Sequence, residues 1–184
     1  MRLHLVRHLA PLVAQGTCYG RTDLAVDAAA QARAVPALRA RLPAGVPVFS
    51  SPLVRCASLA LALALAREAD VRIDARLLEL DFGNWEMRSW DQIARLDIDA
   101  WAADVATYRP GGGESVTEMA LRIDAFYTAL MGETWPEVVI VCHAGAMRLL
   151  SARQAGLSPA EMAREAAQQP HAIGYGEIIV LDCV

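Results

Sequence analysis

Met1-Arg-Leu-His-Leu-Val-Arg7-His8 opens the chain, and its reading decides the fold. Apolar Met1, Leu3 and Leu5 alternate with polar Arg2 and His4, the two-residue period of a strand, and Val6 extends the run. The strand ends on an arginine and a histidine, and Pro11 prevents simple continuation. In open α/β sheets, ligands sit beyond the carboxyl ends of strands. A guanidinium placed there grips oxygens, and an imidazole attacks or shuttles protons. Such a pair is too common to carry a function alone, so the rest of the sequence has to decide.

Working outward, a second segment repeats the arrangement. Glu137-Val-Val-Ile-Val-Cys142 is a near-continuous apolar run, as expected of a strand buried on both faces of a parallel sheet. It ends in His143-Ala144-Gly145, followed by a helix through Leu150 and beyond, which puts a second histidine beside a helix N-terminus. Val46 to Ser50 reads as a third strand. Ser51 then reads as an N-cap with Pro52 at the first helical position, so Arg55 lies one turn into a helix that runs to about Arg67. The apolar stretch Cys56 to Ala66 makes that helix a buried one, too short to span a bilayer. Val71 to Leu78 alternates as a strand and leads into Leu78-Glu79-Leu-Asp-Phe82-Gly-Asn-Trp85-Glu86. A carboxylate packed there among apolar groups can serve as a general acid.

The connecting segments complete the pattern. Leu9 to Asp27 is a loop with turns at Gly16, Gly20 and Asp23. Ala28 to Leu42 is helical, with Pro36 expected to kink or split it. Ser89 to Ala106 is an irregular helical stretch anchored by Trp90 and Trp101. Pro110-Gly-Gly-Gly-Glu114-Ser115 leads into a capping box of Ser115 and Glu118 opening a helix from Val116 to about Met131. Gly174-Tyr-Gly176 turns the chain into a last strand, Glu177 to Leu181. This alternation predicts a three-layer α/β/α sandwich, and 184 residues predict one domain over positions 1–184.

Composition narrows the functions. Hydrophobic residues make up 55% of the chain and net charge is −4. A large core follows, disorder does not, and with no basic block neither nucleic acid nor a membrane surface is an expected partner. An anionic substrate then needs a local positive pocket. Cys18, Cys56, Cys142 and Cys183 are not at metal-ligand or redox spacing. Scattered thiols favour a cytoplasmic location, and Arg7 and His8 interrupt any signal-peptide core.

Five pieces occur in the order of one family: Leu5-Val6-Arg7-His8, Ser50-Ser51-Pro52 with Arg55, Leu78-Glu79 with Phe82-Gly-Asn-Trp-Glu86, Pro110-Gly-Gly-Gly-Glu114-Ser115, and Val139-Ile-Val-Cys-His143-Ala-Gly145. The chain resembles the histidine phosphatase superfamily, the phosphoglycerate mutase-like fold, over nearly its whole length. Cys18-Tyr-Gly-Arg-Thr-Asp23 and the Phe-Gly-Asn-Trp-Glu segment resemble the alpha-ribazole phosphatase group most, whose members act late in cobalamin synthesis. The resemblance implies a mainly parallel sheet with one antiparallel strand. It implies a metal-independent phosphomonoesterase without cofactor, acting on a small phosphorylated metabolite such as alpha-ribazole 5′-phosphate or the corresponding cobalamin phosphate. His8 becomes the nucleophile; Arg7, Arg55 and His143 become the phosphate cradle; Glu79 becomes the acid and later the base. Tyr19, Gly20, Arg21, Ala144 and Gly145 are carried over as the substrate side of the pocket. A homodimer is left open.

The chain departs from the family pattern at Leu9 where glycine is usual, at Ala10, Pro11 and Ala14, at Ala144 in place of a glycine, and at Met87 after Trp-Glu. Three other readings remain: a phosphoglycerate mutase, a broad-specificity sugar or nucleotide phosphatase, and a non-catalytic phosphate-ligand binder.

Overall fold

The structure, a computed structural model, describes residues 1–65, 69–168 and 172–183. Its strands are β1 (Arg2–Arg7), β2 (Val48–Ser50), β3 (Val71–Ile73), β4 (Glu137–Cys142) and β5 (Ile178–Asp182). The helices are α1 (Ala28–Ala40), α2 (Val54–Leu65), α3 (Arg95–Ala103), α4 (Val116–Met131), α5 (Ala144–Gln154) and α6 (Pro159–Gln168). The sheet order is β3-β2-β4-β1-β5. All neighbouring pairs are parallel except β1–β5, so the expected mainly parallel sheet with one antiparallel strand is what forms.

Period-two alternation assigns the faces. Leu3, Leu5, Val138, Ile140 and Cys142 pack with Met119, Ile123, Phe126, Met147 and Leu150 of α4 and α5, and with Met162 of α6. Val6, Val139 and Val141 point the other way, onto Val35 and Leu38 of α1 and Leu59, Ala60 and Leu63 of α2. Both faces of β1 and β4 are therefore covered, the condition under which a parallel strand reads as a continuous apolar run. Among the described residues, no helix is long and apolar enough to cross a membrane.

Register then delivers one part of each strand to a single edge. Val6 pairs with Val141 on one side and Ile178 on the other, and Ser50 pairs with Val141 and Ile73. His8, Ser51 and His143 thus follow strands that end at one level. Because β5 runs antiparallel, the turn before it, containing Tyr175, reaches the same edge. The loop after β3 carries Glu79 there too.

Four local expectations need correction. Pro36 does not split α1, which is one helix through residue 40; Pro36 and Ala32, whose carbonyl loses its partner, both face solvent, where water satisfies the carbonyl. The expected strand Val71 to Leu78 stops at Ile73, because Asp74 accepts from the Arg76 amide and starts a 3-10 turn over Ala75–Leu77. The stretch 89–106 divides into a 3-10 turn, Trp90–Gln92, and α3. Ser51 is not an N-cap: α2 starts at Val54, whose amide donates to Asp23 Oδ1 at 2.7 Å, while Ser51 is wholly buried. The expected end of this helix at Arg67 lies outside the described residues.

Met87, the residue after Trp85-Glu86, has a left-handed φ of 63°. A side chain there costs about 1 kcal/mol, and Met87 is half exposed, so little packing offsets it. Met87→Gly is expected to stabilise the fold by about 1 kcal/mol, raising the melting temperature by about 2–4 °C. Calorimetry reads the difference; an unchanged or lower midpoint would mean that Met87 is not strained.

Candidate active site

Parallel neighbours lie about 4.8 Å apart, so residues following β1 and β4 at one level must meet. The rings of His8 and His143 do, edge to face with centroids 5.0 Å apart. His8 keeps 2% of its accessible surface, and Arg55 and His143 keep none. His8 Nδ1 lies 2.7 Å from the Leu9 carbonyl oxygen. A carbonyl only accepts, so Nδ1 carries the proton and the lone pair sits on Nε2. Burial lowers the His8 pKa to about 3, against the opposing Leu9 carbonyl and with the Arg55 and Arg7 charges adding to the fall. His143 is likewise held well below its ordinary value, first by burial and then by His8, Arg55, Arg122 and Arg7.

Two arginines flank this pair. Arg7 donates to the Ile173 carbonyl at 2.5 Å and lies 4.0 Å from the Tyr175 ring centroid. Arg55 donates to the carbonyls of Thr22 and Gly20 at 2.8 and 2.5 Å. Glu79 arrives from the opposite side. Its two carboxylate oxygens accept from the Gly145 amide and from its own neighbour Leu80, both at 3.0 Å. A Cβ on Gly145 would sit 2.2 Å from Glu79 Oε1, so glycine is what permits this approach. Arg7, His8, Arg55 and Glu79 line one cleft of about 510 Å³, with Tyr19, Ala144, Gly145, Arg148 and Tyr175 around them.

The sequence motifs hold this arrangement from behind. Glu86 accepts from the amides of Arg21 and Thr22 and from the Thr22 hydroxyl, which fixes the carbonyls that bind Arg55. Burial pushes the Glu86 carboxyl up, but these bonds outweigh it and the net shift is downward. Arg122 donates to the carbonyls of Arg76, Leu78 and Glu79 and pairs with Glu114 at 2.7 Å, clamping the Glu79 loop. The triple-glycine segment does more than start α4. A Cβ at Gly111 would lie 2.2 Å from the Phe82 carbonyl and one at Gly113 2.2 Å from that of Asp81; the two loops are packed backbone to backbone.

Some expected substrate-side residues have other work. Gly20 binds Arg55 through its carbonyl, and a Cβ there would lie 1.8 Å from the Leu80 oxygen. The Arg21 guanidinium faces Glu114 at 3.2 Å and Asp81 at 3.8 Å, outside the cleft lining. The Gly145 amide serves Glu79 here. The Ser51 hydroxyl lies 2.9 Å from His143 Nε2, and Cys56 Sγ lies 3.5 Å from the same atom. Leu9, in place of glycine, turns its side chain to Gly176 and the α1–α2 side of the core rather than into the cleft. Sequence reasoning missed Arg122, Arg148 and Tyr175 altogether. Only the placement of Tyr175 before a strand at the sheet edge could have signalled one of them.

Two buried neutral imidazoles have a consequence for stability. Unfolded, each binds a proton near pH 6.5; folded, His8 does so only near 3. Across that window the unfolded chain holds more protons, so stability falls as pH drops, by about 1.4 kcal/mol per pH unit per histidine. Urea midpoints are expected to decline from pH 7 to pH 5, and more shallowly in His143→Gln. Parallel declines in the two proteins would show that His143 is charged when folded.

The sequence profile of the histidine phosphatase superfamily (branch 1) matches residues 3–174. The chain is 30% identical over 178 residues to the adenosylcobalamin/alpha-ribazole phosphatase of Escherichia coli (strain K12), covering 88% of this chain and 82% of that protein. Among solved structures, alpha-ribazole phosphatase from Shigella flexneri superposes with a TM-score of 0.83 at 26% identity, covering 99% of this chain and 90% of that one. Mycobacterial glucosyl-3-phosphoglycerate phosphatase superposes with a TM-score of 0.79 at 27% identity, covering 97% and 88%. The chain belongs to the histidine phosphatase superfamily and is a phosphatase.

Proposed function

We propose that this phosphatase hydrolyses phosphomonoesters through a phosphohistidine on His8, and that its substrate is the 5′-phosphate of alpha-ribazole or of the corresponding cobalamin precursor. The observation that carries the mechanism is the neutral His8 ring, its Nδ1 proton held by Leu9 and its neighbours Arg7 and Arg55 cationic. Nε2 attacks phosphorus, and the ester oxygen leaves with a proton from Glu79. Water then attacks the phosphohistidine and gives one of its own protons to the Glu79 carboxylate, releasing phosphate and neutral His8 and restoring the acid. Charge on the three peripheral oxygens is met by Arg7, Arg55 and a hydrogen bond from His143.

Support for the substrate comes from similarity to the alpha-ribazole phosphatases and from the cleft wall. Trp90 and Trp101 stack with centroids 5.9 Å apart and planes 8° from parallel, and Phe82 meets both edge-on. All three line the cleft. A flat benzimidazole matches such a wall. A second reading, glucosyl-3-phosphoglycerate, draws on the similar mycobacterial enzyme and on Arg148, a further cation in the lining suited to a carboxylate. Phosphate release from alpha-ribazole 5′-phosphate, glucosyl-3-phosphoglycerate and 3-phosphoglycerate decides between them. Preference for the first by kcat/KM is expected; preference for the second assigns the cleft to a sugar acid, and isomerisation of the third without release would make the protein a mutase.

A further inference from the structure

Two tyrosines 156 positions apart meet over the phosphate cradle, with Tyr19 and Tyr175 hydroxyl oxygens 2.7 Å from each other. Each is tied to one of the two arginines. The Tyr175 ring lies 4.0 Å from the Arg7 guanidinium, and the Tyr19 ring 5.6 Å from that of Arg55. Tyr175 also approaches the His8 ring at 5.6 Å. Their backbones are tied to the same residues: the Gly176 amide donates to the carbonyls of Arg7 and His8, and the Gly20 carbonyl accepts from Arg55. Nothing in the reaction as described above uses either hydroxyl.

We infer that the Tyr19–Tyr175 hydrogen bond is a clasp that sets the separation of Arg7 and Arg55 across the phosphate, making both tyrosines positioning residues for transition-state binding. The inference rests on His8, Arg7 and Arg55 forming the phosphate site. Tyr19 and Tyr175 line the same cleft as Arg7, His8 and Arg55, so the clasp acts on the cradle itself. Burial, then the bond to Tyr175, raises the Tyr19 pKa, so the phenol stays protonated well above neutral pH. Arg7 gains from the arrangement twice, through the face of Tyr175 and through the Ile173 carbonyl in the same turn.

A double-mutant cycle tests this. A single shared hydrogen bond is lost whichever hydroxyl is removed, so Tyr19→Phe and Tyr175→Phe are each expected to lower kcat/KM by about 5-fold. The double variant should be no worse than either single one. The same pattern is expected in the affinity for vanadate, measured by calorimetric titration, which needs no turnover. Tyr175→Leu, which also removes the ring over Arg7, should lose about a further 10-fold. Phenylalanine keeps the packing, so thermal midpoints should hold in the Phe variants. Losses that multiply in the double variant, or singles indistinguishable from the parent, overturn the clasp while leaving the phosphatase mechanism standing. Vanadate that fails to bind the parent protein overturns the site itself, and the clasp with it.

Discussion

His8→Ala is expected to abolish phosphate release, with kcat reduced on the order of 10⁴-fold or more. The reason is chemical rather than structural. The Leu9 carbonyl fixes the His8 tautomer, burial keeps the ring neutral, and among the described residues no other imidazole is placed to take over. His143, the neighbour at 5.0 Å, has its Nε2 beside the Ser51 hydroxyl and Cys56. The variant keeps Arg7 and Arg55, each anchored to backbone carbonyls that do not involve His8, so orthophosphate affinity should change by less than about 10-fold. Rapid quench of the parent with substrate in alkaline denaturant should trap acid-labile, base-stable phosphate on the protein, and the variant should trap none. Near-normal turnover in the variant would reject the phosphohistidine route, even with the family membership intact.

That His8, Arg7 and His143 stand together could be read from the chain because each follows a strongly patterned strand, and parallel strands end at one edge. Arg55 was legible for a related reason, lying near the start of the helix after β2, although that helix begins at Val54 and not at Pro52. Ser51 satisfies every local rule for an N-cap; Asp23, 31 residues before Val54, accepts that amide, and the buried Ser51 hydroxyl meets His143 instead. Arg21 likewise turns away from the cleft. Its ion pairs with Glu114 and Asp81 depend on how two glycine loops interlock, which no short-range pattern encodes. Arg122 sits inside α4 with nothing to distinguish it from a surface arginine until the Glu79 loop folds over it. The short β3 was over-extended because alternation continues to Leu78, and only Asp74 bending back on the Arg76 amide ends the strand. Local periodicity thus reports the scaffold and the residues at its strand ends. It does not report which buried polar atoms find one another across the sheet edge.

Glu79→Gln should separate chemistry from scaffolding through its dependence on the leaving group. An alkoxide is a strong base and needs a proton as it departs, so release from an alkyl phosphate is expected to fall by about 10²- to 10⁴-fold. Nitrophenolate needs no such help. With p-nitrophenyl phosphate, the first step should slow by less than about 10-fold, while the second step, which lacks its base, becomes limiting. The time course should then show a burst of one nitrophenolate per protein followed by slow turnover. Glutamine retains a carbonyl oxygen for the Gly145 amide and gives up only the bond from its neighbour Leu80, while Arg122 still holds the loop through the residue 79 carbonyl. Gly145→Ala makes the converse change. Its new Cβ would lie 2.2 Å from Glu79 Oε1 and push an unaltered carboxyl aside, so it should reproduce the selective loss on alkyl esters. If Glu79→Gln slows both first steps equally and gives no burst, Glu79 serves only to brace the start of α5, and the departing oxygen takes its proton from elsewhere.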